Sequence, residues 1–249
     1  MRSAFRDLIV TDPRRWALFL DFDGTLVDMA SEPGAVRIPV GLPELLAALN
    51  RALGGALALN TGRRLATVDA LLAPHRFSGA GVHGAEIRLH PHDDIRLPAD
   101  QVPPALVGAL RRLIGPSDGL VVEDKQVGIA VHYRKAPDAV GTLHRTLAEL
   151  VRGWPGYKLR GGRMVYEIIP RAFSKATAIE FLLRHPPFLG RLPVVIGDDR
   201  GDEPAIKAAR AMGGAAFTVG GEFFASGADF AGPASVRATL RSVLEALSG

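Results

Sequence analysis

The chain has 249 residues, of which 47% are apolar, carries a formal net charge of +4 and contains no cysteine. That composition suits a folded globular protein of one large or two modest domains, and it excludes disulfides, thiolate metal sites and a cysteine nucleophile. Acids and bases are interspersed, so the basic balance predicts mild attraction for small anions and no nucleic-acid partner, which would need a clustered basic face. No apolar run approaches the roughly 20 residues of a membrane helix. The N-terminal "MRSAFRDLIVTDPRRW" has neither an apolar stretch of signal-peptide length nor a small-residue cleavage site, so a cytoplasmic address without a membrane partner is predicted.

In chain order, "WALFLDFDG" (16–24) reads as a buried strand that ends in two carboxylates, Asp21 and Asp23. "LPELLAALNRAL" follows as a helix with Pro43 in its first turn, then "GALALNTG" as a second strand and "RRLATVDALLA" as a second helix. "FSGAGVHGAE" is a third, short strand running into a glycine-rich loop. Strand and helix in alternation predict parallel βα units. The middle breaks that rhythm. Helical "PADQVPPALVGALRRLIG" and "DAVGTLHRTLAELVRGW" are interleaved with "GLVVEDKQVGIAVHYRK" and "YKLRGGRMVYEIIP", which have strand composition and a period of two. An α+β insert with an antiparallel sheet is expected there. The βα rhythm returns with "KATAIEFLLRH", "RLPVVIGDD", "DEPAIKAARAMG" and "AAFTVG". The fold class predicted is α/β, a Rossmann-like parallel-sheet core over 1–100 and 170–249 with an inserted α+β domain over 101–169.

Four strand or helix ends gather groups that could carry chemistry. In an open α/β sheet, ligands bind beyond the carboxyl ends of strands, where Asp21 and Asp23 stand. An Asp-Gly turn with two solvated acids is the plainer explanation. A carboxylate attacking a phosphate dianion would need a cation to offset the repulsion, and Mg²⁺ takes oxygen ligands and phosphate together. "VVIGDDRGDE" repeats the pattern: Asp198 is the natural direct ligand, with Asp199 and Asp202 supporting it from behind. An acid-rich helix N-terminus would account for the same residues. Thr61 in "NTGRR" stands either as a helix N-cap or as a grip on a phosphate oxygen. Lys175 either neutralises Asp21 and a bound phosphate or is a solvated lysine at a helix start. In "GIAVHYRK", His132 and Arg134 share one strand face and Ile129, Val131 and Tyr133 the other. In "RMVYEII", Arg163 and Glu167 fall on one face about 13 Å apart. A polar face of this kind either roofs a pocket or is merely solvated. His83 and Glu86 serve either to shape their loop or to touch a ligand.

Taken together, "DFDGTL", "NTGR", the Lys175 region and "GDDRGDE" resemble the four motifs of the haloacid dehalogenase superfamily of aspartyl phosphotransferases. With "GVHGAE", "VEDK", "HYR" and "GGRMVYEIIP", the chain resembles the trehalose-6-phosphate phosphatase family, collinearly from Trp16 to about Val219. The resemblance implies a core of haloacid dehalogenase type with an inserted cap that reads the sugar. It implies Asp21 as nucleophile, Asp23 as acid and base, and Mg²⁺ held by the Asp21 and Asp198 carboxylates and the Asp23 backbone carbonyl. Asp199 and Asp202 would support those ligands. Thr61 and Lys175 would hold the phosphoryl group, and Glu123, Lys125, Arg134, Arg163 and Glu167 the sugar. It implies hydrolysis of trehalose 6-phosphate as the last step of trehalose biosynthesis, with a trehalose-6-phosphate synthase as a candidate partner. Another sugar-phosphate phosphatase (for sucrose-phosphate, mannosylglycerate-phosphate or a hexose phosphate) and a silent sugar-phosphate sensor are the competing readings. A receiver-like domain phosphorylated on Asp21 would leave the insert unexplained. Two residues depart from the family pattern: Arg163 replaces the usual lysine, and Gly201 a threonine expected to support Asp198 and Asp202.

Overall fold

The structure, a computed structural model, describes residues 2–30, 33–115, 119–162, 164–221, 223–224 and 227–248. The chain divides into two compact units, Met1–Arg96 with Ser174–Gly249, and Leu97–Phe173.

The first unit is built on a six-stranded sheet. Its strands are β1 (Trp16–Leu20), β2 (Leu57–Asn60), β3 (Ser78–Gly81), β4 (Glu86–Arg88), β9 (Leu192–Gly197) and β10 (Ala215–Thr218), in the order β10-β9-β1-β2-β3-β4. All neighbours run parallel except β3 and β4. β1 is apolar on both faces because both are covered, the sequence signature of a buried parallel strand. Trp16, Leu18 and Leu20 point to one side, with Leu57, Leu59, Val194 and Ile196 from the flanking strands. There they pack on helices α1 (Arg2–Thr11), α2 (Leu42–Ala52) and α8 (Pro233–Ser248), through Phe5, Ile9, Leu46, Leu49, Val236 and Leu240. Ala17 and Phe19 point to the other side and meet α6 (Lys175–Leu182) and α7 (Glu203–Ala211), through Ala178, Ile179, Leu182, Ala205 and Ile206. Small residues on the sheet here (Ala17, Ala58, Ala80) bring those helices close. The remaining helix of this unit, α3, spans Leu65–Leu71.

The strand order decides where a site forms. From β1 the chain steps to β2 on one side, whereas β9 lies on the other, so the winding reverses between β1 and β9. At such a switch point the connections leave in opposite directions and open a crevice at the strand carboxyl ends. Asp21 follows β1, and Asp198 follows β9.

The second unit has a four-stranded antiparallel sheet in the order β5-β6-β8-β7, from β5 (Val121–Asp124), β6 (Ile129–His132), β7 (Tyr157–Gly162) and β8 (Val165–Pro170). Ile129, Val131, Leu159, Tyr166 and Ile168 form its apolar face, which packs on α4 (Pro104–Leu113) and α5 (Val140–Arg152). The parallel-sheet core and the α+β insert expected from the sequence are therefore both present.

Several elements differ from that expectation. The stretch 157–170 is a hairpin, β7 to β8, and β8 begins at Val165, after Met164 at φ 57. Arg163 itself lies outside the described residues. β6 ends at His132, which puts Arg134 in the turn beyond rather than on the strand face. The N-terminal helix α1, the C-terminal helix α8 and the three-residue β4 are not apparent from periodicity.

Candidate active site

Lys175 is the first residue of α6, and its start is fixed locally. The Ser174 hydroxyl accepts the Thr177 N–H, and the Thr177 hydroxyl accepts the Ser174 N–H, a reciprocal cap that sets where the helix begins. The Lys175 ammonium is buried and donates to Asp21 Oδ1 at 2.5 Å and to Asp202 Oδ1 at 2.6 Å. Burial and two ion pairs rule out a solvated helix-start lysine. The other Asp202 oxygen accepts the backbone N–H groups of Asp198 (3.1 Å) and Asp199 (3.2 Å). Asp202 is thus committed to holding the β9–α7 turn and Lys175, and its carboxylate is turned away from α7, which it precedes. Asp199 accepts the Gly201 N–H at 2.5 Å, and Thr25 donates its hydroxyl to Asp198 at 3.3 Å. Support for the acids therefore comes from Thr25, Lys175 and backbone amides, and does not require a side chain at Gly201.

Oxygen atoms of Asp21, Asp198 and Asp202 all lie within 4.8 Å of one another, a group able to hold a metal ion. Three carboxylates and one ammonium leave this pocket two charges short of neutrality. Burial pushes the Asp21 carboxyl up to about 8, with Lys175 opposing the rise and Asp198 and Asp199 adding to it. Burial likewise pushes Asp198 up to about 6, with Asp202 and Asp199 adding to it. Asp202 is raised by burial and by Asp21. Burial alone would lower Lys175, but Asp202 and Asp21 outweigh it and hold the ammonium above the usual lysine range. One ammonium shared by crowded carboxylates is overstabilised while the carboxylates stay understabilised. A divalent cation would supply the missing charge, so the residues fit one. Gly24 leaves the space beside them: it sits at φ +80, and a Cβ there would run into the Asp198 carboxylate.

Asp23 points elsewhere. Arg63 clamps it with Nε on Oδ2 at 2.5 Å and a second nitrogen on Oδ1 at 2.8 Å. Arg63, like Thr25 and Arg160, is a residue that the sequence reading missed. It lies 40 positions from Asp23, inside the quoted "NTGRR", and nothing in local spacing signals the pair. Thr61 is buried where β2 ends, and its hydroxyl accepts the Arg63 N–H at 3.1 Å, leaving its own proton to donate. It is not a helix cap, since α3 is preceded by Arg64. Asn60 beside it donates to the Lys175 carbonyl at 2.9 Å. Glu86 shapes the loop: it accepts the Leu65 N–H at 2.7 Å, at the start of α3, and faces the Arg64 guanidinium. His83 holds φ 55 and lies against Gly62, where a Cβ would be 2.6 Å from its ring.

In the second unit the polar face is ordered by register. Glu123, Ala130, Glu167 and Arg160 are successive partners across β5, β6, β8 and β7. Lys125 donates to Glu167 Oε1 at 2.7 Å and Arg160 to Oε2 at 3.1 Å. His132 Nε2 meets Glu123 Oε2 at 2.9 Å. Lys125 and Glu167 are buried, so this is not simply a solvated sheet face. Arg134 stands apart from this row, in the turn after β6.

A family model described as trehalose-phosphatase matches residues 19–227. The chain belongs to the trehalose-phosphatase family. A probable trehalose-phosphate phosphatase of Sinorhizobium fredii is 40% identical over 218 residues, covering 87% of this chain and 82% of the relative. The trehalose-6-phosphate phosphatase of Escherichia coli is 37% identical over 210 residues, covering 83% and 78%. Among solved structures, the C-terminal domain of the C. albicans trehalose-6-phosphate phosphatase superposes with a TM-score of 0.80 at 18% identity, over 96% of each chain. That likeness shows the fold, a parallel-sheet α/β core with a second, antiparallel sheet. As a member of that family, the chain is a phosphoric monoester hydrolase. No helix among its described residues is long and apolar enough to cross a membrane.

Proposed function

We propose that the chain hydrolyses trehalose 6-phosphate to trehalose and phosphate through a phosphoryl group carried on Asp21, with Mg²⁺ as cofactor. The observation that carries the reading is the buried Lys175–Asp21–Asp202 network beside Asp198 at the β1/β9 switch point. Asp21 Oδ1 is fixed by Lys175, so its second oxygen is the one to attack phosphorus as the bond from phosphorus to the sugar oxygen breaks. Asp23 gives a proton to the departing sugar oxygen and then takes one from the water that cleaves the acyl phosphate. Thr61 and Lys175 donate to the phosphoryl oxygens, offsetting charge at fixed positions that need no reorganisation. Asp21, Asp198 and the Asp23 carbonyl would hold Mg²⁺, with Asp199 and Asp202 steadying their turn. Bound there, the cation offsets the repulsion between Asp21 and the phosphate dianion.

The second unit supplies the sugar contacts in this reading, as a cap bounded near residues 101 and 169. Glu123, Lys125 and Glu167 form its polar row, Arg134 and Arg163 add charge, and His83 and Glu86 shape the loop after β3. Carboxylates and an ammonium fixed on one face suit a ligand rich in hydroxyl groups. A cytoplasmic trehalose-6-phosphate synthase would make the substrate, which places the enzyme at the last step of trehalose biosynthesis.

Phosphate release from trehalose 6-phosphate, sucrose 6-phosphate, glucose 6-phosphate and mannose 6-phosphate, with Mg²⁺ and with EDTA, tests the reading. Metal-dependent release confined to trehalose 6-phosphate is expected. Release from a different sugar phosphate would reject the sugar assignment, and release from none would favour a sensor. Asp21→Asn should abolish turnover and keep a cooperative thermal transition; an active Asp21→Asn variant would overturn the mechanism.

A further inference from the structure

The polar row of the second unit has two members with no part in the reading above, His132 and Arg160. Each sits on one of the two row carboxylates. Glu123 on β5 and Glu167 on β8 are separated by two strand spacings, about 10 Å. Ala130, their register partner on β6, contributes only a methyl group on that face, and the Lys125 ammonium reaches Glu167 from the β5 side. Two anchored carboxylates over an apolar floor match the length of two linked hexose rings better than that of one.

We propose that His132 and Arg160 are positioning residues that set this specificity, each aiming one carboxylate at the hydroxyl groups of one ring of the disaccharide. The inference rests on the sugar-phosphatase reading above. His132 leaves β6 on the same face as Ala130, and an ionised Glu123 requires the proton of its contacting nitrogen, Nε2, to lie in the bond. That hydrogen bond holds the Glu123 carboxyl below the usual range, against the opposing effect of burial, with Lys125 contributing next. Arg160 is the direct register partner of Glu167 and takes Oε2, whereas Lys125 takes Oε1. A buried carboxylate with a single cation on one oxygen would be free to swing about its terminal bond. Cations on both oxygens fix the plane of the carboxylate, and with it the directions from which a hydroxyl donor can approach. Arg160 and His132 come from strands on opposite sides of β8, so each contact can be removed without removing the other.

The test compares kcat/KM for trehalose 6-phosphate with kcat/KM for p-nitrophenyl phosphate, which carries no sugar. In His132→Phe and in Arg160→Met, the ratio of the two should fall about tenfold, the loss that follows removal of a charge-assisted hydrogen bond. The fall should appear in KM for trehalose 6-phosphate, with kcat nearly kept. His132→Asn and Arg160→Lys, which retain a donor, should restore most of it, and these variants guard against misfolding as the cause. Glu123→Ala and Glu167→Ala separate the two levels of the argument. If both lower the ratio while His132→Phe and Arg160→Met do not, the positioning role is refuted and the sugar reading stands. If neither glutamate variant lowers it, this face does not read the sugar and the proposal falls with that reading.

Discussion

Both oxygens of Asp23 are taken by Arg63, and the guanidinium also lies 5.9 Å from the centroid of the Phe22 ring. The planar fork of arginine fixes the plane of the carboxylate as well as its distance. Asp23 is therefore held in one orientation by the β2–α3 turn that also carries Thr61, and one Arg63 contact has to open before the carboxyl can carry the proton of the proposed acid step. Arg63→Met should lower kcat by at least about tenfold, a portion of what a positioned acid and base supplies. Its thermal midpoint should fall modestly, because the pair is part-buried and Asp23 keeps some access to solvent. Steady-state kinetics with differential scanning fluorimetry reads both, and an unchanged kcat would show that Asp23 needs no such clamp. Lys175 presents the opposite case, since its loss would strand two buried carboxylates without their cation.

The turns after β1 and β9 interlock through the absence of side chains. Gly24 leaves room for Asp198, and at Gly197 a Cβ would overlap the Asp202 side chain. Gly24→Ala combines a left-handed backbone angle with a clash against a carboxylate, so it should destabilise by about 1–3 kcal/mol and weaken cation activation together. Urea unfolding and a Mg²⁺ titration of activity would show both, and loss of one alone would mean that the two turns are not coupled. The acids at these strand ends are legible in the sequence because a run of apolar residues stops abruptly at charge. β1 and β9 are legible for the same reason, and β2 and β10 as short apolar runs bounded by glycine. The β7–β8 hairpin is not, because the alternation of apolar residues continues on both sides of the turn at Met164 and masks the reversal. β4 is too short to carry a period. The pairings Arg63–Asp23, Arg160–Glu167 and His132–Glu123 join residues on different elements, and only strand order and register bring them together.

Across the whole molecule, the crowded carboxylates link stability to pH and to the cation. Asp21, Asp198 and Asp202 bind protons more tightly in the folded state than an ordinary carboxyl does, up to about 8 for Asp21 and about 6 for Asp198. Their contribution to stability is complete below about pH 4 and is lost as pH rises through 6 to 8, because the unfolded chain releases those protons first. The metal-free protein should therefore lose thermal stability from this cluster between about pH 5 and 8. A cation that binds the deprotonated acids should stabilise more at pH 8 than at pH 6, and at a hundredfold excess over its pH 8 dissociation constant it should raise the melting temperature there by about 5–10 °C. Melting curves in EDTA and in Mg²⁺ across that range test this, and a Mg²⁺ effect independent of pH would overturn it. The strand order has a further consequence, for the chain while it is being made. β1 lies between β2 and β9, so residues 21–191 must be synthesised before its second neighbour even begins to emerge. At ribosomal rates that takes roughly 9–35 s. During that interval the strand that leads to Asp21 has one open hydrogen-bonding edge and half of its apolar cover, while the second unit, contiguous in the chain, has every residue it needs to fold. A nascent chain arrested before β9 would display that edge to its neighbours on the polysome, and holdase chaperones should find it there.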